Sequence, residues 1–286
     1  MNLNNMRRYG VELEFFYPRR MEDLAYTIMQ ETGIEVHCVN YSNRDTNLWR
    51  LKPDASLSAI RANRGTYYYP MELVTPILHG EEDMAKLRKV VEVINRDAKV
   101  NKQTGMHVHV DVGGADADEL RRFCCYAGKY ERAINNILPM SRRESRWARN
   151  HLSSNTSLDR FFNQMANRAK TGEPSSVLAH GSFSGSGTRY MKWNFDNYWR
   201  TGTVENRAHS GTTDADKVEN WVRLVQGIIE RNFVADQMMR TKVGATTDTY
   251  STKHMLDDLV KNKVITNSVR KFYKARYEVL NNDVCR

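Results

Sequence analysis

Tyr9-Gly-Val-Glu-Leu-Glu-Phe-Phe-Tyr17 alternates apolar and acidic residues with period two, the signature of a β-strand with two unlike faces. Val11, Leu13 and Phe15 point to one side, and Glu12 and Glu14 to the other, about 6–7 Å apart along the chain. Two such carboxylates raise each other's pKa unless a cation lies between or above them. Taken alone, they read equally as a solvent-facing pair on an edge strand. Three more stretches share the habit. Glu72 lies in Tyr69-Pro-Met-Glu-Leu-Val-Thr-Pro76, an acid among apolar strand residues, where an unpaired buried charge is costly. Met106-His-Val-His-Val-Asp111 puts His107, His109 and Asp111 on one face, and Thr203-Val-Glu-Asn-Arg-Ala-His209 does the same for Glu205, Arg207 and His209. A lone histidine or a Glu-x-Arg pair is ordinarily structural. Four strands with one habit point instead to a shared polar sheet face, suited to hard divalent cations and phosphate.

Around these strands, residues 21–32, 80–97 and 116–137 carry helical spacing, with Asp116 or Asp118 as the cap of the third. Short strands are predicted near 35–39, 48–52, 66–76, 190–195 and 202–209, partial helix over 141–170, and several helices from about residue 215. The mixture predicts a single α+β domain over 1–286, with a core at about 10–225 and a helical C-terminal portion at about 215–286. Its sheet is expected to be largely antiparallel and curved, with the site on one face and helices on the other. Residues 171–189 read as loop; within them Gly181-Ser-Phe-Ser-Gly-Ser-Gly187 lacks the Gly-Lys-Ser/Thr ending of a phosphate-binding loop and reads as a surface loop or as a flap over a water-sensitive intermediate. Tyr190, Trp193, Tyr198 and Trp199 read as core or rim.

With 286 residues, 40% of them apolar, the chain can fill a sizeable core, which excludes disorder, collagen and coiled coil. No apolar run approaches the roughly 20 residues of a membrane span. No apolar stretch follows the Arg7-Arg8 pair, so neither a secretory signal nor a membrane association is expected, and the cytoplasm is the expected compartment. The balance of 43 Lys and Arg against 34 Asp and Glu, a formal +9, attracts polyanions: nucleic acid, nucleotide phosphates or an acidic protein. Cys38, Cys124, Cys125 and Cys285 lack zinc or redox spacing and read as reduced thiols.

Gly10-Val-Glu-Leu-Glu-Phe-Phe16 resembles the first catalytic strand of glutamine synthetase, and Gly105-Met-His-Val-His-Val110 its nucleotide-binding segment. Val204-Glu-Asn-Arg-Ala-His209 resembles its later Glu-x-Arg strand. Together with Trp49-Arg-Leu-Lys-Pro-Asp-Ala-Ser-Leu57, Met71-Glu-Leu-Val-Thr-Pro76, Ser141-Arg-Arg143 and Gly211-Thr212, in that family's order, the chain most resembles the amidoligases, relatives of glutamine synthetase and gamma-glutamylcysteine synthetase. The likeness runs from residue 10 to about 225. It implies a catalytic domain like that of glutamine synthetase and an ATP-dependent ligase joining a carboxylate to an amine through an acyl phosphate, with Mg²⁺ or Mn²⁺. It also implies Glu12 and His107 at one ion, joined by Glu205, and Glu14 and Glu72 at another. His109 would reach a phosphate, with Arg142 and Arg143 also near phosphate, and Arg207 would clamp the carboxylate or the transferring phosphoryl group. Asp54 falls at the family's site, though an Asp before Ala-Ser equally makes a turn. Arg207, Asp54 and Glu14 are thus the catalytic candidates.

Two departures stand out: Ala55 replaces a common glycine, and Asn206 a more apolar residue. Expected partners are ATP, a carboxylate and an amine borne by an amino acid, peptide, protein or modified nucleic acid. Two other readings remain open: a metal-dependent hydrolase using the His-x-His-x-Asp strand for zinc, and a basic nucleic-acid-binding protein. A Cys-His amidohydrolase is weaker, because Cys124 and Cys125 lie in a helical pattern.

Overall fold

The alternating segment forms β1 (Tyr9–Tyr17), followed by α1 (Met21–Thr32), β2 (Val36–Cys38), β3 (Trp49–Pro53), β4 (Ile60–Arg61), β5 (Tyr67–Val74), α2 (Gly80–Asn95) and β6 (Gly105–Asp111). Then come α3 (Ala117–Lys129), α4 (Glu131–Asn135), α5 (Met140–Arg143), α6 (Leu158–Ala169), α7 (Pro174–Leu178), β7 (Trp193–Asn194), α8 (Tyr198–Thr201) and β8 (Thr203–Ser210). Helices α9 (Ala215–Phe233), α10 (Thr252–Lys261) and α11 (Asn267–Asn282) complete the chain. The computed structural model describes residues 2–40, 42–61, 65–185, 187–233 and 240–282. The fold is α+β with a mixed, mostly antiparallel open sheet. Among the described residues, no helix is long and apolar enough to cross a membrane.

The chain groups into two compact units, one of residues 2–110 and 209–222, the other of residues 111–208 and 223 onward. In the first, the strand order is β2-β3-β5-β1-β6, with β4 paired to β5; β2 and β3 run parallel and the other pairs antiparallel. Strand β1 is therefore interior, flanked by β5 and β6, rather than an edge. Its odd-numbered residues Val11, Leu13 and Phe15 are at most 1% exposed, and Leu51, Leu73, Met106 and Val108 are equally enclosed. Leu24 and Ile28 of α1, with Met84, Leu87, Val90, Val91 and Ile94 of α2, supply the matching buried helix stripes. Each such side chain stabilises the fold by roughly 1.5–3 kcal/mol. Helix α1 ends where Gly33 takes a left-handed conformation (φ 72°), and Glu81, Glu82 and Asp83 fill the first turn of α2, where the helix dipole favours acids.

In the second unit, Asp116 caps α3 through a capping box with Glu119. The helix expected over 116–137 is divided at Tyr130 (φ −107°, ψ 14°), whose hydroxyl lies 2.8 Å from Nδ1 of His254 on α10. The stretch 171–189, expected as loop, contains α7, opened by Pro174 at its first turn. The strand expected at 190–195 shrinks to β7, because a tight turn through Gly187 (φ 89°) occupies residues 188–190. Of the Gly181–Gly187 stretch, residue 186 lies outside the described residues, as do Cys285 and the end of the helical C-terminal portion. Trp193 is core, packed edge-on to Phe123 at 5.0 Å, whereas Trp199 is 62% exposed. Cys124 and Cys125 are free and buried, and burial pushes the Cys125 thiol up to about 12 and the Cys124 thiol up as well. Neither is a nucleophile at neutral pH.

Gly211 illustrates how tightly the first unit is closed. A Cβ there would lie 2.1 Å from Thr104 Oγ1 and 3.0 Å from the Thr104 carbonyl carbon. Thr104 cannot swing aside, since its hydroxyl donates to Asn101 O at 2.8 Å and its carbonyl accepts from Gly211 N at 2.8 Å. Gly211→Ala is expected to cost roughly 1–3 kcal/mol, lowering Tm by several degrees in thermal denaturation. Gly181→Ala, with nothing within 4 Å, should leave Tm unchanged, and equal melting of the two variants would refute this packing.

Candidate functional site

Pairing in the first unit stacks the even-numbered residues of β1 against acids and imidazoles. Glu14 is opposite Glu72 on β5, and Glu12 is opposite His107 on β6. Directly opposed residues project to the same face with Cβ atoms about 4.5–5.5 Å apart. His107 Nδ1 lies 3.1 Å from Glu12 Oε2, His107 Nε2 lies 3.8 Å from Glu14 Oε1, and His109 Nε2 lies 3.4 Å from Glu12 Oε1. Glu14 is fixed by its other oxygen, which accepts from the backbone N–H of Gly105 at 2.6 Å. The face is closed on its far side by β3, where Lys52 is opposite Glu72 and its Nζ lies 2.8 Å from Glu72 Oε2.

One potential ligand atom each from Glu12, Glu72 and His107 lies within 4.8 Å of the others. Ligands on opposite sides of a divalent ion with bonds near 2.1 Å are about 4.2 Å apart, so only a small contraction separates this arrangement from coordination. Charge balance points the same way. Burial, the Glu12 charge and, less strongly, Glu14 push the Glu72 carboxyl up to about 8, against the pull of Lys52. For Glu12, burial acts upward, but the charge of His109, hydrogen bonds from both histidines and the charge of His107 hold it well below the usual carboxylate range. The face thus has more carboxylate than its own cations neutralise. A donor set of carboxylates and imidazoles with a deficit of positive charge fits a hard divalent cation.

Asp54, just past β3, makes the turn that its sequence allowed and more. Its Oδ1 accepts from Ser56 N at 2.8 Å and Ser56 Oγ at 2.6 Å, while Oδ2 is buried without a hydrogen-bond partner. Arg50, also buried, donates Nη1 to Asn43 O at 3.0 Å and has no partner at Nε; burial draws its pKa down and the Glu12 charge opposes this. Lys52 and Arg50 were absent from the sequence-derived candidates. Arg50-x-Lys52-x-Asp54 has the same period-two habit as the other polar strands, and that was the signal for them.

Glu205 and Arg207 belong to the second unit. They pair with each other, and Glu205 also accepts from Asn194 Nδ2 at 2.7 Å across the β7–β8 pairing. Arg142 is buried, with Nη2 donating to Arg207 O at 2.5 Å and Nε to Ala208 O at 3.4 Å, so it holds the backbone of β8. Arg143 donates to Leu138 O and Asn281 Oδ1. Asn206, the departure noted in this strand, is fully buried and accepts from Ala208 N at 3.2 Å. Asp111 Oδ1 accepts from Gly113 N at 3.0 Å, a turn role at the end of the His-x-His-x-Asp strand.

Compared with known protein families, residues 5–229 match the family described as "Putative amidoligase enzyme". No curated protein matches the chain significantly.

The raised Glu72 carboxyl has a definite effect on stability. A carboxyl whose folded pKa lies above its unfolded value stabilises the fold below about pH 4.5, and this contribution is lost as pH rises through about 8. Glu72→Gln removes that titration. In chelator-treated protein, the stability of Glu72→Gln relative to the parent should therefore climb between pH 5 and 8, by urea denaturation, and then level off. Parallel curves across that window would contradict the charge deficit.

Proposed function

We propose, from the premise that this chain belongs to the amidoligase family, that it is an ATP-dependent ligase joining a carboxylate to an amine, with Mg²⁺ or Mn²⁺ held at the Glu12 face. The observation that carries this reading is the convergence of Glu12, Glu72 and His107 on a buried face short of positive charge. In the reaction, a substrate carboxylate oxygen attacks the γ-phosphorus of ATP and ADP leaves. The amine nitrogen then attacks the acyl carbon, loses a proton, and inorganic phosphate departs. When bound, the divalent cation supplies charge neutralisation during phosphoryl transfer.

The chain's own residues divide the remaining work. Glu12, Glu72 and His107 would hold the cation, with Glu14 beside them, pinned by the Gly105 N–H so that its second oxygen faces His107. His109, whose ring lies against Glu12, would reach a phosphate oxygen. Lys52 would favour the ionised form of Glu72, opposing the burial and the Glu12 charge that raise it. On β8, Arg207, paired through Nη1 with Glu205, would clamp the substrate carboxylate or the phosphoryl group with its planar donors. Arg142 would act through Arg207, by fixing the carbonyls of the strand that carries it. Asp54, with Oδ2 as a buried acceptor, would take the catalytic role that the family resemblance gives it. ATP, a carboxylate and an amine are the partners this chemistry requires.

With Mn²⁺ or Mg²⁺, ATP and a mixture of acids and amines, the protein is expected to release ADP and phosphate and to form a product detectable by mass spectrometry. Glu12→Gln should lower kcat/KM at least about 100-fold, given the several kcal/mol a metal ion contributes to the transition state. It should also weaken Mn²⁺ binding by calorimetry at least about tenfold. Phosphate release that persists in Glu12→Gln, or that ignores chelator, would sink the reading.

A further inference from the structure

In the second unit, residues 146–150 and 187–192 run side by side. Arg149 N donates to Tyr190 O at 2.7 Å, and Lys192 N donates to Arg149 O at 2.9 Å. Together with part of the Gly181–Gly187 stretch they frame a cavity of about 240 Å³, lined by Arg149, Asn150, Ser182, Ser184 and Thr188. That is room for roughly eight waters, or for a phosphate and part of a sugar.

The cavity is rich in donors that no protein group uses. Arg149 donates Nη2 to Gly187 O at 2.9 Å, and among the described residues no carboxylate pairs with it. Asn150 accepts, through Oδ1, from the ammonium of Lys192, which is only 2% exposed, and from Asn135 Nδ2 at 3.2 Å. Among the described residues its amide NH₂ has no partner, and it is polarised by the buried cation behind it. Nor, among the described residues, has the Ser182 hydroxyl a partner. The acids nearby are Asp196, which accepts from Thr188 Oγ1 at 2.6 Å, and Glu131 and Glu144, whose charges act on Lys192.

Aromatic rings continue the same surface. Trp147, 45% exposed, meets Tyr190 edge to face at 5.1 Å. The Arg146 guanidinium lies 4.7 Å from the Trp147 ring centre and that of Arg189 lies 5.2 Å from the Tyr190 ring centre. Neither arginine pairs with a carboxylate among the described residues. Three guanidiniums without carboxylate partners, interleaved with the exposed Trp147 ring and the half-buried Tyr190 ring, match a ligand that is both anionic and planar. An acidic peptide would satisfy the charges and leave the rings without a role; duplex nucleic acid keeps its bases stacked inside.

We propose that this cavity and the Arg146–Trp147–Tyr190–Arg189 strip bind single-stranded nucleic acid, with a backbone phosphate at Arg149 and Asn150 and a base stacked on Trp147. The site stands independently of the metal face. Its test is fluorescence anisotropy of a labelled 12-nucleotide oligothymidylate with the full-length protein at several salt concentrations. The logarithm of affinity should fall with that of salt with slope about −2, since each single-strand phosphate contact contributes about −0.7 and Arg146, Arg149 and Arg189 would each meet one phosphate. Arg149→Gln should reduce the slope by about 0.7, and Trp147→Ala should weaken binding roughly 5- to 150-fold. Both side chains are substantially exposed, so the variants should melt with the parent, and a matched melt certifies the comparison. Unchanged affinity in both variants, or competition by polyglutamate or duplex as effective as by unlabelled oligothymidylate, would overturn the proposal.

Discussion

Repulsion among three carboxylates, those of Glu12, Glu14 and Glu72, is the constraint to which the rest of the first unit answers. Adjacent strands in antiparallel register bring the three onto one face, and opposed positions cannot drift apart without breaking the ladder. The odd-numbered side chains of the same strand forbid a slip by one residue, because that would turn Val11, Leu13 and Phe15 out of the core and the acids into it. The apolar face thus holds the acids against their own repulsion. What relieves it is local: Lys52 on Glu72, two imidazoles around Glu12, and a backbone N–H on Glu14.

The second unit has a buried acid that makes an instructive contrast. Both oxygens of Glu131 accept backbone hydrogen bonds, from His151 N at 2.6 Å and Leu152 N at 2.8 Å, and the neighbouring acids of the β1 face have no counterpart in the causes of its shift. Burial alone pushes that carboxyl up to about 7, with its hydrogen bonds and Lys192 opposing. Glu131 is saturated: it ties down a loop and has little left to offer a ligand. Glu72 is raised partly by other carboxylates, a cause that an added cation would remove. The two acids share depth and direction of shift, and only the second has chemistry left over.

Most of the β1 face was legible before any coordinates, because strand alternation is a local property. Glu12, Glu14, His107 and His109 could be assigned to polar faces from period two alone. Lys52 was not found, since its meaning lies in its register with Glu72, and register between β3 and β5 is a non-local property that no short window of sequence contains. The same limit applies to Arg142, which the resemblance puts near phosphate: its Nη2 and Nε donate to the carbonyls of Arg207 and Ala208, some 65 residues away in sequence. Helix α7 was missed for another reason: five residues are too few for periodicity to show, and Pro174 reads as a breaker unless its place in the first helical turn is known. Asp54 shows where two sequence readings were compatible, with one carboxylate oxygen closing the turn and the other left without a partner.

Net charge, the bluntest of the sequence observations, gains meaning only once each charge is sorted by its partner. A formal +9 counts Lys52 and Arg207 equally with Arg146 and Arg149. Lys52 and Arg207 are bound to carboxylates at short range, so their fields are largely cancelled a few ångströms away. Arg146, Arg149 and Arg189 lie against rings or a carbonyl, which screen a guanidinium far less than a carboxylate does. Attraction for a polyanion therefore follows from where cations lack acids. By that measure three cations without acids gather on the surface of Trp147 and Tyr190, while the strand face of Glu12 and Glu72 is short of cation. One total charge conceals two sites that call for ligands of opposite sign.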